Sequence, residues 1–265
     1  MNKKQILHLV AVALIFGTCE VASAHIGYTG RNFGSFDANG LESPVSLTSS
    51  TQSYGWADGT DADFGDSHRV RAFRFTLQNV GWVTISIQAT GVGSPFLPGF
   101  SIYSGLAHIS PDTADHDANQ STLDYLATLG GSYEGAYRSL SDWKVGNTDR
   151  TTEGAFYPAS LSNFTYIGNA ADGSSANYGS AAGINGDGIA DGFVTATFWL
   201  DAGEYSMFVG GADYADQSNA GTYGFTATVN AVPEPSTVIL LGAAAGVLLF
   251  RLLKRKEPNQ NSALV

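Results

Sequence analysis

Cysteine is all but missing. The 265-residue chain holds one, Cys19, close to its N-terminus. The rest of the chain therefore has no disulfide framework and no thiol catalyst. Charge is also scarce: Asp, Glu, Lys and Arg make up 14% of residues, with 13 basic against 24 acidic. A net charge of −11 argues against a nucleic-acid-binding surface. Low charge combined with 32 glycines argues against a coiled coil. The aromatic content of 12% is enough to build a core and argues against disorder. Neither His-Glu-x-x-His nor Gly-x-Ser-x-Gly occurs, so two common hydrolase motifs are missing.

What is present falls into three unlike segments. Residues 1–24 read as a secretory signal peptide: Lys3 and Lys4 give the positive start, Leu7 to Phe16 the apolar stretch, and Ala22-Ser23-Ala24 the small-residue cleavage site. The apolar run is short for a membrane anchor. Cleavage after Ala24 would make His25 the new N-terminus. At the other end stand Val232, Pro233, Glu234 and Pro235, then the apolar segment Ser236–Leu253. That segment is long enough for one spanning helix. The basic cluster within 251–256 (Arg251, Lys254, Arg255 and Lys256) marks its cytoplasmic end. A polar tail, 257–265, closes the chain.

Pro-Glu-Pro, one short helix and a basic cluster, in that order, resemble the PEP-CTERM sorting signal at 232–256. The resemblance implies an exported protein of a Gram-negative bacterium that makes exopolysaccharide. It implies an exosortase-type processing enzyme as partner, with Glu234 and Pro235 at or near the processing site. The helix would hold the protein in the inner membrane only transiently, before the product passes to the envelope or matrix. The polar tail departs from the usual pattern, in which such signals end near their basic residues.

Between the two ends, residues 25–231 have the length of one domain. They carry 7 basic and 21 acidic residues, a net −14, with Lys144 the only lysine. The hydrophobic period is two. Phe73, Phe75 and Leu77 alternate with polar residues, as do Val83, Ile85 and Ile87, with Gly81 between the runs. Residues 70–89 therefore read as a hairpin. Further strands are expected around Phe100–Tyr103, Val194–Leu200, Tyr205–Val209 and Tyr223–Val229, with a turn at Asp201–Glu204. Helical signal is confined to 121–129, and long gaps remain at 104–162 and 168–192. The expected fold class is all-β, an antiparallel β-sandwich or jelly-roll. The segment Arg71–Leu106 resembles the pre-peptidase C-terminal type of β-sandwich. The whole mature chain resembles a recurrent PEP-CTERM protein type with no assigned activity.

Three constellations could carry chemistry. Asp58, Asp61, Asp63 and Asp66 could wrap a calcium ion, or form a solvated turn-rich loop. Asn185, Asp187 and Asp191, with Gly188 at the turn, partly match a calcium loop. That match lacks the first Asp and the bidentate Glu, and a plain turn is the competing reading. His25, with His68 or His116 as second imidazole (His108 being the remaining candidate), could form a copper-binding brace. Such a brace would resemble that of the lytic polysaccharide monooxygenases. Trp56, Trp82, Trp143 and Trp199 could stack on sugars or pack in a core. Trp199 is expected on an outer face beside Phe208. With no favoured acid among Glu42, Glu134, Glu153 and Glu204, the expectation is a non-enzymatic protein. Its role would be structural or adhesive, near exopolysaccharide, with calcium the one expected metal. A secreted polysaccharide-active or copper-binding protein is the alternative.

Overall fold

The computed structural model describes residues 26–38, 40, 42–57, 65–67, 69–107, 138–146, 161–214, 221–232 and 235–254, with backbone only at 144–146, 161–162, 235–241 and 252–254. Among the described residues ten strands form two sheets. The strands are β1 (Asn32–Phe36), β2 (Val45–Gln52), β3 (Arg71–Leu77), β4 (Gly81–Ala89), β5 (Pro98–Ser104), β6 (Trp143–Gly146), β7 (Leu161–Ala171), β8 (Phe193–Leu200), β9 (Gly203–Gly211) and β10 (Thr222–Val232). One sheet has six strands in the order β1-β3-β9-β5-β7-β6, the other four in the order β2-β10-β4-β8. Two helices complete the described chain, α1 (Ser175–Tyr178) and α2 (Pro235–Lys254). The expected all-β sandwich is what the structure shows.

The alternating runs meet between the sheets. Phe73, Phe75, Leu77, Phe100, Ile102, Met207 and Val209 from one sheet pack against Val83, Ile85, Ile87, Phe225, Ala227 and Val229 from the other, all essentially buried. Phe75 stacks on Tyr205 at 5.1 Å, and Phe73 meets Phe225 edge-on across the sandwich at 5.9 Å. Full burial of each such side chain stabilises the fold by about 1.5–3 kcal/mol before entropy is counted.

Residues 70–89 are not a hairpin. β3 and β4 lie in different sheets, and the chain arches over the sandwich edge at Gln78-Asn79-Val80. A hairpin and an arch both turn one apolar face to the core, so alternation alone cannot separate them. The arch is close-fitting: a Cβ at Gly81 would sit 2.4 Å from the Ala38 Cβ. The turn at 201–204 is a second arch, from β8 to β9. The sheets are also not wholly antiparallel, since β1 pairs with β3 in parallel. The gap 168–192 holds the end of β7 and the one-turn helix α1. The expected helix at 121–129 and the signal peptide 1–24 lie outside the described residues.

Candidate functional site

At its centre the six-stranded sheet is covered on both faces, with β5 and β9 buried along most of their length. Its outer side carries Ala72, Tyr103, Trp143, Phe164 and Phe208, which bury against Trp56 and Tyr28. Phe208 lies 5.4–5.6 Å from the rings of Trp143, Phe164 and Tyr103. Trp56 lies against Gly99, where a Cβ would approach its ring to 2.4 Å, and its indole N–H donates to Ser101 Oγ at 2.9 Å. Ser101 in turn donates to the Ser139 carbonyl at 2.6 Å. Trp56 and Trp143 are thus core residues. Phe208 does not lie beside Trp199, because β9 and β8 belong to different sheets.

Among the described residues nothing covers the outer side of the four-stranded sheet, and its four strands contain no Asp, Glu, Lys or Arg. Strand pairing sets the outward side chains in rows. Ser46, Thr228, Ser86 and Thr195 share one row; Asn230, Thr84 and Thr197 share the next. Hydroxyls bond across strands, Ser46 to Thr228 and Thr84 to Thr197, each at 2.8 Å. The last row is Val232, Trp82 and Trp199. The two indoles are 39% and 44% exposed and meet edge-to-face at 5.1 Å and 66°. On a domain of net −14, this face is an uncharged, hydroxyl-bearing surface with two aromatic rings at one end. Hydroxyl donors and acceptors with exposed indoles suit contact with neutral polar polymers or with an apolar–aqueous boundary.

The 183–192 loop is fastened to the end of β7. Asp172 is fully buried, and its two oxygens accept the backbone N–H groups of Asp191 and Gly192 at 3.1 and 2.7 Å. Burial outweighs those bonds and pushes its pKa up to about 6, with the Asp187 and Asp191 charges adding to the rise. Asp187 Oδ1 accepts from Gly173 and Ile189 N–H at 2.9 and 3.0 Å. Asp191 Oδ1 accepts from Phe193 N–H at 3.0 Å. The Asn185 backbone N–H donates to Asn169 Oδ1 at 2.9 Å. These side chains bind loop and strand backbone, as Asx turns do. Sequence reading missed Asp172, whose partners lie 19 and 20 residues away. The Asp172-Gly173 pair closing a strand was its only local signal.

Of the other acidic cluster, Asp66 pairs with Arg69 at 2.8 Å. The Arg69 guanidinium lies 4.3 Å over the Tyr54 ring. Asp58, Asp61 and Asp63 lie outside the described residues, as do His25, His68, His108 and His116. Among the described residues, no group of three or more His, Cys, Asp or Glu side chains could hold a metal.

At the C-terminus, β10 is an internal strand of its sheet, paired with β2 and β4. It runs to Val232, Pro233 and Glu234 lie outside the described residues, and the 20-residue α2 begins at Pro235. Among the described residues no helix is long and apolar enough to cross a membrane; in α2 those with described side chains run from Gly242 to Arg251. Residues 231–256 match the PEP-CTERM protein-sorting motif. The chain thus carries a PEP-CTERM sorting motif at its C-terminal end. The matched segment begins one residue before Val232 and ends with the basic cluster.

No curated protein matches the chain. Solved structures that match the chain include CorA, a surface-associated copper-binding protein of Methylomicrobium album BG8, at 18% identity and a TM-score of 0.48, over 71% of this chain and 93% of that one. Another is MopE, a secreted protein of Methylococcus capsulatus in which an oxidized tryptophan facilitates copper binding, at 16% identity and a TM-score of 0.44, over 76% and 86%. A third is the pre-peptidase C-terminal domain of a Bacillus anthracis collagenase, at 9% identity and a TM-score of 0.27, over 74% and 93%.

Proposed function

We propose that this PEP-CTERM protein is a non-catalytic structural or adhesive component of the envelope or extracellular matrix that contacts neutral exopolysaccharide. The carrying observation is the uncharged, hydroxyl-bearing outer face of the four-stranded sheet on an otherwise acidic domain. Its rows of Ser, Thr and Asn offer hydrogen-bond donors and acceptors, and it offers no cation to a polyanion. Before processing, Ser236–Leu253 tethers the chain to the inner membrane. Its apolar sequence and helical backbone support this, since the 20-residue α2 that contains it, at 1.5 Å per residue, reaches about 30 Å, the hydrocarbon thickness. Calcium bound at the acidic loops, and copper bound through His25, are further proposals with a separate test below.

Fractionation of a tagged chain, with retardation of the recovered protein in gels containing the host exopolysaccharide, tests the proposal. Envelope or extracellular protein is expected, with retardation abolished by Thr84→Glu/Thr228→Glu. Full-length protein persisting in the cytoplasm, or retardation indifferent to the substitutions, would overturn it.

A further inference from the structure

The outer face carries exposed Phe193 at one end, and the end with both tryptophans is also the end from which the chain leaves the sheet. Val232, the last residue of β10, is directly opposite Trp82, and Trp82 is directly opposite Trp199. Neighbouring strands are about 4.8 Å apart, so the two tryptophan Cα atoms stand about 5 and 10 Å from that of Val232. Only Pro233 and Glu234 separate Val232 from α2. Three residue steps reach at most about 11 Å. The Trp82 and Trp199 Cα atoms are thus held, by strand pairing and chain length alone, within about 16 and about 21 Å of the start of the C-terminal helix. Val80, 44% exposed in the adjoining β3–β4 arch, adds an apolar side chain at the same end.

We propose that Trp82 and Trp199 seat the tethered domain on the lipid headgroup boundary of the membrane that α2 enters. Tryptophan favours that boundary because its ring is apolar while its indole N–H can bond to water or headgroups. The headgroup layer is about 5–8 Å deep on each side of the hydrocarbon, so the Val232–Trp82–Trp199 row must lie along the boundary for both rings to enter it. Two exposed indoles on a four-stranded face with no charge of its own can enter that layer without burying an ion. Carboxylates near this end are Asp201, two residues past Trp199, Asp37, bonded to Asn79 of the arch, and Glu234 in the link to α2. They resist an anionic surface and point to zwitterionic lipid. Seating would hold the Pro233–Glu234 segment at the membrane surface, where a membrane-embedded processing enzyme must reach it.

This inference rests on the tether proposed above, and the test separates the two. Full-length wild type and Trp82→Phe/Trp199→Phe are reconstituted into phosphatidylcholine vesicles, with and without lipid brominated close to the headgroup. Flotation reports the tether. Quenching of tryptophan emission reports the seat, because Trp56 and Trp143 are buried in the domain. Both proteins are expected to float, with quenching in the wild type and its loss in the variant. Flotation without quenching overturns the seat and leaves the tether standing. Failure to float overturns the tether and the seat with it. If the wild type floats unquenched while the Phe substitutions release it from exopolysaccharide gels, the pair is a sugar-stacking site and the seat is overturned.

Discussion

Replacing Asp172 by Asn probes the fastening of the 183–192 loop. The carboxylate is fully buried and accepts two backbone N–H groups. Its pKa is nonetheless raised from 3.8 to about 6, chiefly by burial. The native state therefore holds this proton more tightly than the unfolded chain does. Such a group contributes stability that is complete below about pH 3.8 and lost by about pH 6. At about 1.36 kcal/mol per pKa unit, the contribution is at most about 3 kcal/mol. The exposed loop above Asp172 lets solvent screen part of it. Asn keeps the shape but offers one acceptor to two donors, a cost of about 1–3 kcal/mol that does not titrate. Urea unfolding of the full chain in mild detergent, followed by the emission of Trp56 and Trp143, measures both proteins from about pH 3.5 to about pH 7. The stability margin of wild type over variant is expected to shrink by up to about 3 kcal/mol across that range. A margin that stays flat or widens would refute the reasoning, because the two N–H groups would then hold the carboxylate ionised throughout.

Two further outcomes follow from the packing and from the acidic loops. Phe208→Ala removes the ring shared by Tyr103, Trp143 and Phe164 and should cost about 3–5 kcal/mol by the same unfolding assay; a cost below about 1 kcal/mol would show that the outer aromatic layer is loosely packed. After chelator stripping, millimolar calcium should raise the melting temperature by mass action if Asp58–Asp66 or Asn185–Asp191 binds it. An unchanged melt removes the calcium proposal, and a parallel melt of wild type and His25→Ala with copper tests the brace.

Much of the sandwich was legible in the sequence, because Phe73–Leu77, Val83–Ile87, Val194–Leu200, Tyr205–Val209 and Tyr223–Val229 each alternate clearly. Which sheet each strand joins was not. Alternation reports one face on a core and is blind to whether the next strand pairs beside it or crosses above it. That is why Trp199 and Phe208 looked like neighbours. β2, rich in Ser and Thr, gave no strand signal because only Val45 and Leu47 pack against the main core. β5 and β9 are buried on both faces, since an aromatic layer assembled from distant segments covers the second face. The uncharged outer face was written in the composition of β2, β4, β8 and β10, but only the pairing order assembles it. The sorting motif, by contrast, is local in sequence and was readable as such.

The entry of β10 into the sorting motif also has a mechanical side. Tension applied at the C-terminus, whether from a membrane helix or from whatever the processed end is joined to, enters the domain along an internal strand. β10 is held by continuous ladders to β2 and β4 on either side. A pull along the strand loads both ladders in shear, so many hydrogen bonds must yield together. A pull on an edge strand from its free end would open them one pair at a time. The attachment point is thus at a part of the fold well suited to bearing load.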